Sequence, residues 1–498
     1  MARAKKATRE DPNAVSEYAI RDAKRPQLQS LPFGVFLLVA LGLHAYLMYL
    51  LYEASMNVDL AWDGSGGDFV VLVVPFFLIS IVLEVLYDKA YGLGLYRVND
   101  SVGSLSTGTW MILLKKLWSR HISFVPYLWV WRNYRVTDFF MENGTAGFVL
   151  QFLIVEFFYY WIHRTGHTFH CFWAMHGVHH SSEEYNLSTA LRQSSLHGLA
   201  SNLYHVPSAL FFPPKQMYLQ AQFNLIYQFW IHSCTFPKLG VLEYVLNTPS
   251  QHRVHHGRNA YCIDKNYGGT LCIFDRLFNS FEEERDDDPV VFGITHGQES
   301  FNTIYINTDL WTPMVVENGV TTWYDTILRF YYGPGWVPGT HYEEYQIPPV
   351  NRERQQKLNP YLPFGMQVYL SVNFLFTLVL SLLANDGKVH PDMPDQMILI
   401  CLFATVSVTL VASRSKFAPM FEFIRHGLMV LVAYHVFCGT EPLYFLLALG
   451  CLTIPFTYFC ANLHVFSVPL SASEVGRDRT DEEVLAIKAA ERAREKGE

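Results

Sequence analysis

Apolar runs long enough to cross a lipid bilayer alternate with charged stretches along this chain of 498 residues. A helix needs about 20 apolar residues to cross the hydrocarbon layer, and only helices and closed barrels satisfy their backbone hydrogen bonds there. Half of the residues are hydrophobic and only 16% are charged. The sequence therefore predicts an all-α fold, a polytopic membrane helical bundle.

The apolar runs divide the chain into five regions. We predict a cytoplasmic tail over 1–31, N-terminal membrane segments over 32–145, a catalytic region over 146–345, C-terminal transmembrane segments over 346–470 and a soluble helical tail over 471–498. The apolar stretch 102–131 contains Lys115, Lys116, Arg120 and His121, so we expect an interfacial or re-entrant segment there. Two runs separated by a Pro-Pro pair, 196–212 and 217–236, are expected to form a hairpin dipping into the membrane. The predicted spans are 33–52, 69–87, 146–162, 366–383, 396–412, 427–438 and 443–463.

Basic residues predict the orientation of the chain. Seven Lys and Arg precede the first apolar run and six lie in the C-terminal tail, and such residues favour the cytoplasmic side. We therefore expect both termini and the histidine-rich middle to face the cytoplasm. The net charge of -8 and the lack of a dense basic block argue against a nucleic-acid partner. The eight cysteines form no CxxC pair, so we expect reduced thiols that pack as small apolar groups.

Eight of the twenty histidines fall into three tight boxes. The first is an HxxxH motif and the other two are HxxHH motifs. Positions i, i+3 and i+4 share one face of an α-helix, so each box is predicted to project its imidazoles in one direction. The boxes consist of His163 and His167; His176, His179 and His180; and His252, His255 and His256.

This arrangement predicts a pair of metal ions. Burying so many titratable rings together is unfavourable unless a cation uses their lone pairs, and a structural zinc takes only four ligands. Imidazole suits iron, zinc and copper. His163 directly follows an apolar span, which places the site where the bilayer meets water, so that a lipid can insert its apolar tail from the membrane.

Two other residues near the boxes, Glu156 and His232, each have two interpretations. Glu156 lies two turns before His163, where its carboxylate can orient a ligand, but a buried acid that serves only packing is the alternative. His232, at the end of another apolar run, is either a ninth ligand or an ordinary buried histidine. We expect His170, His197 and His205 to have roles other than metal ligation.

The order of the boxes, with the lone His232 between the second and third, resembles the fatty acid hydroxylase/sterol desaturase superfamily of membrane di-iron oxygenases. Longer stretches at 173–194, 222–232, 246–267 and 333–339 are similar to its ether-lipid-cleaving, tetrahydrobiopterin-dependent branch. The resemblance extends from about residue 75 to residue 340. It is loose in the C-terminal spans and absent from both tails.

This resemblance implies a specific enzyme chemistry. The eight boxed histidines would hold two irons per chain, in the endoplasmic reticulum membrane. With O2 and reduced pterin (tetrahydrobiopterin), the enzyme would hydroxylate the alkyl carbon beside the ether oxygen of an alkylglycerol or other ether lipid. The resulting hemiacetal would break down to a fatty aldehyde and a glycerol derivative, with no obligate protein partner.

One position departs from that branch. Its members carry a Glu directly after the second histidine of the first box, and here that residue is Thr168. If that carboxylate helps to bind the pterin, another acid must replace it in this chain. Glu156, Glu183 and Glu184 are the candidates.

Two other functions stay open. A sterol or fatty-acyl hydroxylase or desaturase of the same superfamily would take electrons from a cytochrome, although the chain has no fused haem domain with an HPGG-type motif. A membrane zinc protein, such as a transporter or protease, is the second. It is disfavoured because HExxH is absent and eight clustered ligands exceed what such a protein needs.

Overall fold

The computed structural model describes residues 69–115, 125–142, 144–197, 205–315, 322–339, 350–385, 394–437 and 442–495, with isolated positions at 42, 46, 49 and 347. The tail at 1–31 and all but three positions of the predicted span at 33–52 lie outside the described residues. Helices dominate the described residues, and the all-α prediction is confirmed.

The N-terminal half of the described chain contains seven helices, the last two joined by a single residue. These are α1 (Phe69–Leu72), α2 (Val74–Tyr91), α3 (Val98–Leu114), α4 (Val125–Tyr134), α5 (Phe139–Glu142), α6 (Gly144–Thr168) and α7 (His170–His180). The middle is richer in loops and short helices. It contains α8 (Pro214–Ile231), α9 (Pro249–His255), α10 (Ile273–Leu277), α11 (Thr303–Thr308), α12 (Thr312–Val315) and α13 (Trp323–Tyr331).

The C-terminal part is a helical bundle followed by a polar tail. Its helices are α14 (Phe364–Asn385), α15 (Pro394–Ala412), α16 (Ala418–Phe437), α17 (Pro442–Ala461) and α18 (Asp481–Glu495). Two short strands, β1 (Gln355–Gln356) and β2 (Arg477–Asp478), pair antiparallel, with Gln355 opposite Asp478. They join the start of the bundle to the tail.

Three of the described helices are long and apolar enough to cross a membrane: Gly144–Thr168, Phe364–Ala384 and Asp395–Ala412. They correspond to the predicted spans at 146–162, 366–383 and 396–412. The apolar stretch Ala448–Ala461 of α17 is shorter. Helices α2, α8 and α16 fall outside this set, since charges or amides interrupt their apolar sequence, such as Glu84 in α2 and Gln220 in α8. The three helices are identified by length and composition alone, within the described part of the chain.

The segment predicted to be interfacial, 102–131, begins instead as a buried helix. Helix α3 packs against α14 and α15, and its small residues permit this close approach. Ser104, Ser106 and Thr107 are buried, and a Cβ on Gly108 would lie 2.3 Å from the carbonyl oxygen of Leu191. Small side chains at helix interfaces are typical of membrane bundles, so α3 belongs to the interior of the bundle.

The tail forms the capped helix that its sequence predicts. Thr480 accepts a hydrogen bond from the backbone N–H of Glu483, whose carboxylate accepts one from the N–H of Thr480, which is a capping box. The tail also docks onto the centre of the molecule. Asp478 accepts a hydrogen bond from Arg258 at 2.7 Å, two residues after the third histidine box.

Candidate metal centre

Nine buried histidines form two adjacent groups. Within each group, the ligand nitrogens lie within 4.8 Å of one another. The first group consists of His163, His167, His176, His180 and His255, and the second of His179, His232, His252 and His256. The groups meet where His180 stacks on His256, with ring centroids 4.3 Å apart. The structure thus brings together all eight boxed histidines and His232.

The second and third boxes each supply both groups. On α7, His176 and His180 reach the first group, while His179 reaches the second. At the end of α9, His255 joins the first group and its neighbour His256 the second. Adjacent helical residues are rotated by about 100°, so one helix lying along two groups can serve both. The prediction of a single direction for each box therefore misses this division.

Backbone carbonyls fix the protonation of four of the rings. The Nδ1 atoms lie 2.7–2.9 Å from carbonyl oxygens: His163 from Tyr267, His255 from Lys265, His179 from Arg192 and His232 from Gln228. A carbonyl oxygen only accepts, so each Nδ1 carries the proton. Each Nε2 atom is then left with a bare lone pair.

These lone pairs converge inside the protein. The Nε2 atoms of His179 and His232 lie 3.0 Å apart, and both are acceptors, so they repel each other unless a cation lies between or beside them. In the first group, the Nε2 atoms of His167 and His255 are buried and have no hydrogen-bond partner in the described part of the chain. Buried acceptors without donors are unfavourable. The donor set therefore fits two metal ions, one for each group.

The electrostatics favour neutral rings. Burial, followed by repulsion from neighbouring imidazoles, lowers the pKa of His176, His180 and His256 well below its ordinary value. Burial lowers the pKa of His232 to about 4, against the opposing effect of its hydrogen bond to Gln228. Metal binding requires neutral imidazole. At neutral pH the rings thus present lone pairs without first losing a proton.

Two buried carboxylates hold the loop that carries the Tyr267 carbonyl. Asp275 accepts hydrogen bonds from the backbone N–H groups of Tyr267 and Gly268, at 2.7 and 2.8 Å. Glu156 accepts from those of Thr270 and Leu271, at 2.8 and 3.0 Å. Four of the five backbone N–H groups between residues 267 and 271 are therefore fixed by these two carboxylates. Glu156 and His163 thus contact the same loop, Glu156 through the N–H groups of Thr270 and Leu271 and His163 through the carbonyl of Tyr267.

A buried ion pair supports the second group in the same way. Arg192, whose carbonyl accepts from His179, donates to Asp100 at 3.0 Å, and both side chains are fully buried. Asp100 also accepts from Ser182 at 2.7 Å. This network anchors the segment that follows α7, and with it the carbonyl that orients the His179 ring.

The acidic run at 282–288, a composition typical of a solvated loop, is only partly exposed. Glu284 is buried and pairs with Arg253, at 2.7 Å. Arg253 lies inside the third box, beside His252, and its other donors reach the carbonyls of Ser233 and Phe236. One acid of the run thus neutralises a buried cation that ties the third box to the segment after His232.

The acids proposed for pterin binding are already engaged. Glu184 pairs with Arg97 and, at 2.8 Å, with Lys357. Glu183 accepts from the backbone N–H of Leu358 at 2.8 Å and lies 3.7 Å from Arg97. Thr168 is exposed, and its hydroxyl donates to the carbonyl of Arg164.

Several residues of the centre belong to no sequence motif and were not predicted. Asp264, half exposed, lies 3.6 Å from His167 Nδ1 and is the acid nearest the first box in the described residues. Asp275 and Arg192 act through backbone groups, which leave no motif. The Gly268-Gly269 pair is a sequence signal for the close packing of this loop. A Cβ on Gly269 would lie 2.2 Å from the Asn224 side chain. His170, His197 and His205 lie outside both groups.

The sequence has clear relatives among known proteins. Residues 148–280, which contain all nine clustered histidines and the loop at 267–271, match the fatty acid hydroxylase family. The chain is 42% identical to alkylglycerol monooxygenase of Homo sapiens over 281 residues, which cover 55% of this chain and 61% of the human protein. No solved structure matches it.

Two further relatives match over longer stretches. The chain is 34% identical to alkylglycerol monooxygenase of Xenopus tropicalis, over 80% of this chain and 89% of that protein. It is 37% identical to the Danio rerio protein of the same name, over 74% of this chain and 82% of that protein. Identity at this level over most of a relative's length accompanies a shared fold. The chain therefore belongs to the alkylglycerol monooxygenase family of membrane oxidoreductases.

Proposed function

We propose that this protein is a tetrahydrobiopterin-dependent di-iron monooxygenase of ether lipids. It would hydroxylate the alkyl carbon attached to the ether oxygen of an alkylglycerol, and the hemiacetal would break down to fatty aldehyde and a glycerol derivative. The observation that carries the proposal is the pair of histidine groups, with their converging bare Nε2 atoms. The relatives add the class of substrate, since their name refers to alkylglycerols.

The nine histidines would hold the two irons, five around one and four around the other. Bound iron supplies the oxidation of an unactivated C–H bond by O2, which amino-acid side chains do not perform. The protein's own contribution is to hold the rings. The carbonyls of Tyr267 and Arg192 keep the protons of His163 and His179 on Nδ1, which leaves the Nε2 atoms of both rings free to bind a metal.

The position of the centre suits a lipid substrate. The first box ends α6, one of the helices able to cross a membrane, so the first group lies where that helix leaves the hydrocarbon layer. The large side chains of Phe157 and Trp161 are exposed on the same helix, as expected for a surface that faces lipid. An alkyl chain can thus stay in apolar surroundings while its polar head remains in water.

The proposed orientation places the metal centre and both termini in the cytoplasm, within the endoplasmic reticulum membrane. The basic residues before the first span and in the tail support it. The tail's ion pair between Asp478 and Arg258 is consistent with it, because the tail and the third box must then lie on the same side. The catalytic region proposed at 146–345 contains all nine histidines.

Asp264 is our candidate for the acid that replaces the missing Glu of the first box. The oxygens of the other candidates, Glu156, Glu183 and Glu184, already accept hydrogen bonds from backbone groups or cationic side chains. Asp264 lies beside His167 and is half exposed. Its carboxylate is therefore accessible to a donor-rich ring such as a pterin.

A turnover assay tests the proposal. Purified protein in phospholipid nanodiscs is given a labelled alkylglycerol and O2, with reduced pterin, with a reduced cytochrome, or with neither. We expect labelled fatty aldehyde only with pterin, and about two irons per chain by mass spectrometry. Product formed with the reduced cytochrome but not with pterin would indicate that this protein takes its electrons from a cytochrome, as the sterol and fatty-acyl enzymes do. A single zinc and no oxygen uptake would overturn the monooxygenase.

A further inference from the structure

Helix α13 exposes an unusually apolar face. Trp323, Ile327 and Tyr331 follow one another at intervals of four residues, with 76%, 54% and 63% of their surface exposed. Tyr324 and Phe330 flank them and are exposed as well. Residues spaced in this way share one side of a helix, so the five side chains form a continuous apolar face.

The opposite side of α13 is polar and points into the protein. Arg329 is buried and donates to the carbonyl of Pro313, and Asp325 forms a capping box with Thr322. A helix on the surface of a soluble protein has the reverse arrangement, with its apolar side inward. Contiguous exposed apolar surface of this kind marks a site of contact with a partner or a membrane.

Contacts with the start of α7 fix the depth of α13 relative to the membrane. The carbonyl of Tyr332 accepts a hydrogen bond from the backbone N–H of His170 at 2.9 Å, and Tyr331 packs on Phe169 with ring centroids 5.4 Å apart. Phe169 and His170 directly follow Thr168, the last residue of a helix able to cross the bilayer. The apolar face therefore lies at the level where that helix enters water.

We infer that the α13 face lies in the bilayer surface, at the boundary between phospholipid headgroups and acyl chains. Trp and Tyr concentrate at that depth, and they make up three of its five residues. Between Thr322 and Trp336 the only charged residues are Asp325 and Arg329, and neither belongs to the face. Burial of apolar area would thus hold the helix in the membrane, without a requirement for anionic lipid.

An apolar connection leads from this face toward the first histidine group. Phe330 contacts Trp311, with ring centroids 6.3 Å apart, and Trp311 and Trp173 both pack against the buried cluster that contains Leu310. Trp173 in turn lies 5.0 Å from the ring of His167. We therefore assign the α13 side of the molecule as the entrance for the alkyl chain, an assignment that rests on the proposed function.

Photo-crosslinking tests the lipid contact. Benzoylphenylalanine is placed at Ile327 in the full-length protein, which is irradiated in vesicles of phosphatidylcholine alone or mixed with phosphatidylserine. Mass spectrometry should find a phospholipid adduct of similar yield in both. The same probe at Leu485, exposed on the tail helix, should give none. Crosslinks to a second copy of the chain or to another protein, or no adduct, would overturn the inference.

A kinetic experiment tests the entrance separately. We expect Tyr324→Ser with Ile327→Ser to raise the KM for a membrane-embedded alkylglycerol several-fold, with kcat and iron content unchanged. Leu485→Ser is the matched control. A lipid adduct with unchanged KM would leave the membrane contact standing and overturn the entrance. If the protein does not oxidise ether lipids at all, the proposed function fails, whereas the adduct still decides where α13 lies.

Discussion

Among the described residues, two dense polar clusters differ in one respect. The metal centre gathers nine imidazoles whose bare nitrogens face one another. In the C-terminal bundle, α14, α15 and α16 bury a second cluster around the ion pair of Glu422 and Arg425, at 2.7 Å. Both clusters are shielded from water. Only the second one matches its acceptors with donors.

Each carboxylate oxygen of Glu422 accepts two hydrogen bonds. Its Oε1 atom accepts from Ser407 and from Arg425 Nε, at 2.7 and 2.8 Å, and its Oε2 atom accepts from Tyr369 and Arg425 Nη2. Arg425 also donates to Asn373 at 2.7 Å. These hydrogen bonds satisfy both oxygens of Glu422 and tie three helices together, as buried polar groups in membrane proteins commonly do.

The comparison separates a structural cluster from a ligand site by physical chemistry alone. A buried charge that finds its counter-charge and hydrogen-bond donors needs nothing further. Acceptors that converge without a donor are unfavourable until a cation arrives. We therefore expect the two clusters to respond differently to substitution. Changes at the metal centre should remove metal and activity, and changes at the Glu422 cluster should remove stability.

The largest effect is expected at the metal centre. His179→Ala removes one bare Nε2 from the second group, and turnover should fall below detection, with loss of at least one metal per chain. Iron counting and the aldehyde assay measure this. His464→Ala is the control, because His464 is exposed near the end of the bundle. A His179→Ala protein with full metal content and wild-type turnover would refute the assignment.

The next effect is on stability. Glu422→Ala leaves Arg425 buried without its counter-charge, which should lower the free energy of unfolding by about 3–5 kcal/mol. Denaturation in detergent micelles measures it. Removing both charges, in Glu422→Leu with Arg425→Met, should recover most of the loss, because no unpaired charge remains. Metal content per folded chain should be unchanged in both variants. Metal loss from either would show that the Glu422 cluster also supports the metal centre.

Much of this architecture could be predicted from the sequence, and the rest depends on how distant segments meet. The boxes identify eight of the nine clustered histidines because helical spacing is local, and the apolar runs identify α6, α14 and α15 as candidate spans. The division of a box between two groups depends on where α7 and α9 cross. Tyr267 and Arg192 contribute carbonyls that every residue possesses, so no residue pattern reveals them.

The Glu422 cluster illustrates the same limit. Glu422 and Arg425 lie three residues apart on one helix, a spacing that is equally common on solvated surfaces. Their burial depends on Tyr369, Asn373 and Ser407 from the two neighbouring helices. The same dependence explains why Glu284, in a run of acids that reads as a loop, is buried against Arg253.

A smaller effect is expected from the carboxylates that hold the 267–271 loop. Asp275→Asn replaces one acceptor oxygen with an amide that faces a backbone N–H, so the Tyr267 carbonyl should lose its fixed position. Metal affinity should fall roughly 10- to 100-fold, as for other residues that orient ligands indirectly. Competition with a metal chelator measures it. Asp286→Asn, in the exposed part of the acidic run, is the control and should leave the affinity unchanged.

The smallest effect concerns the electron donor. Asp264 lies 3.6 Å from His167 Nδ1 and is half exposed, whereas Thr168 offers only an uncharged hydroxyl that already donates to a carbonyl. A carboxylate forms stronger hydrogen bonds to a donor-rich ring than a neutral group does. We therefore expect Asp264→Asn to raise the pterin concentration for half-maximal turnover several-fold, with iron content kept.

Thr168→Glu in the Asp264→Asn background sharpens this prediction, since it returns an acid to the edge of the first box. It should restore part of the pterin affinity if a carboxylate at this edge is what the pterin requires. Glu183→Gln is the comparison for an acid that supports structure, because it accepts from the Leu358 backbone, and it should lower stability without a selective change in pterin requirement. An unchanged pterin requirement in Asp264→Asn, together with a raised one in Glu183→Gln, would move the pterin contact from the first histidine group to the segment after α7.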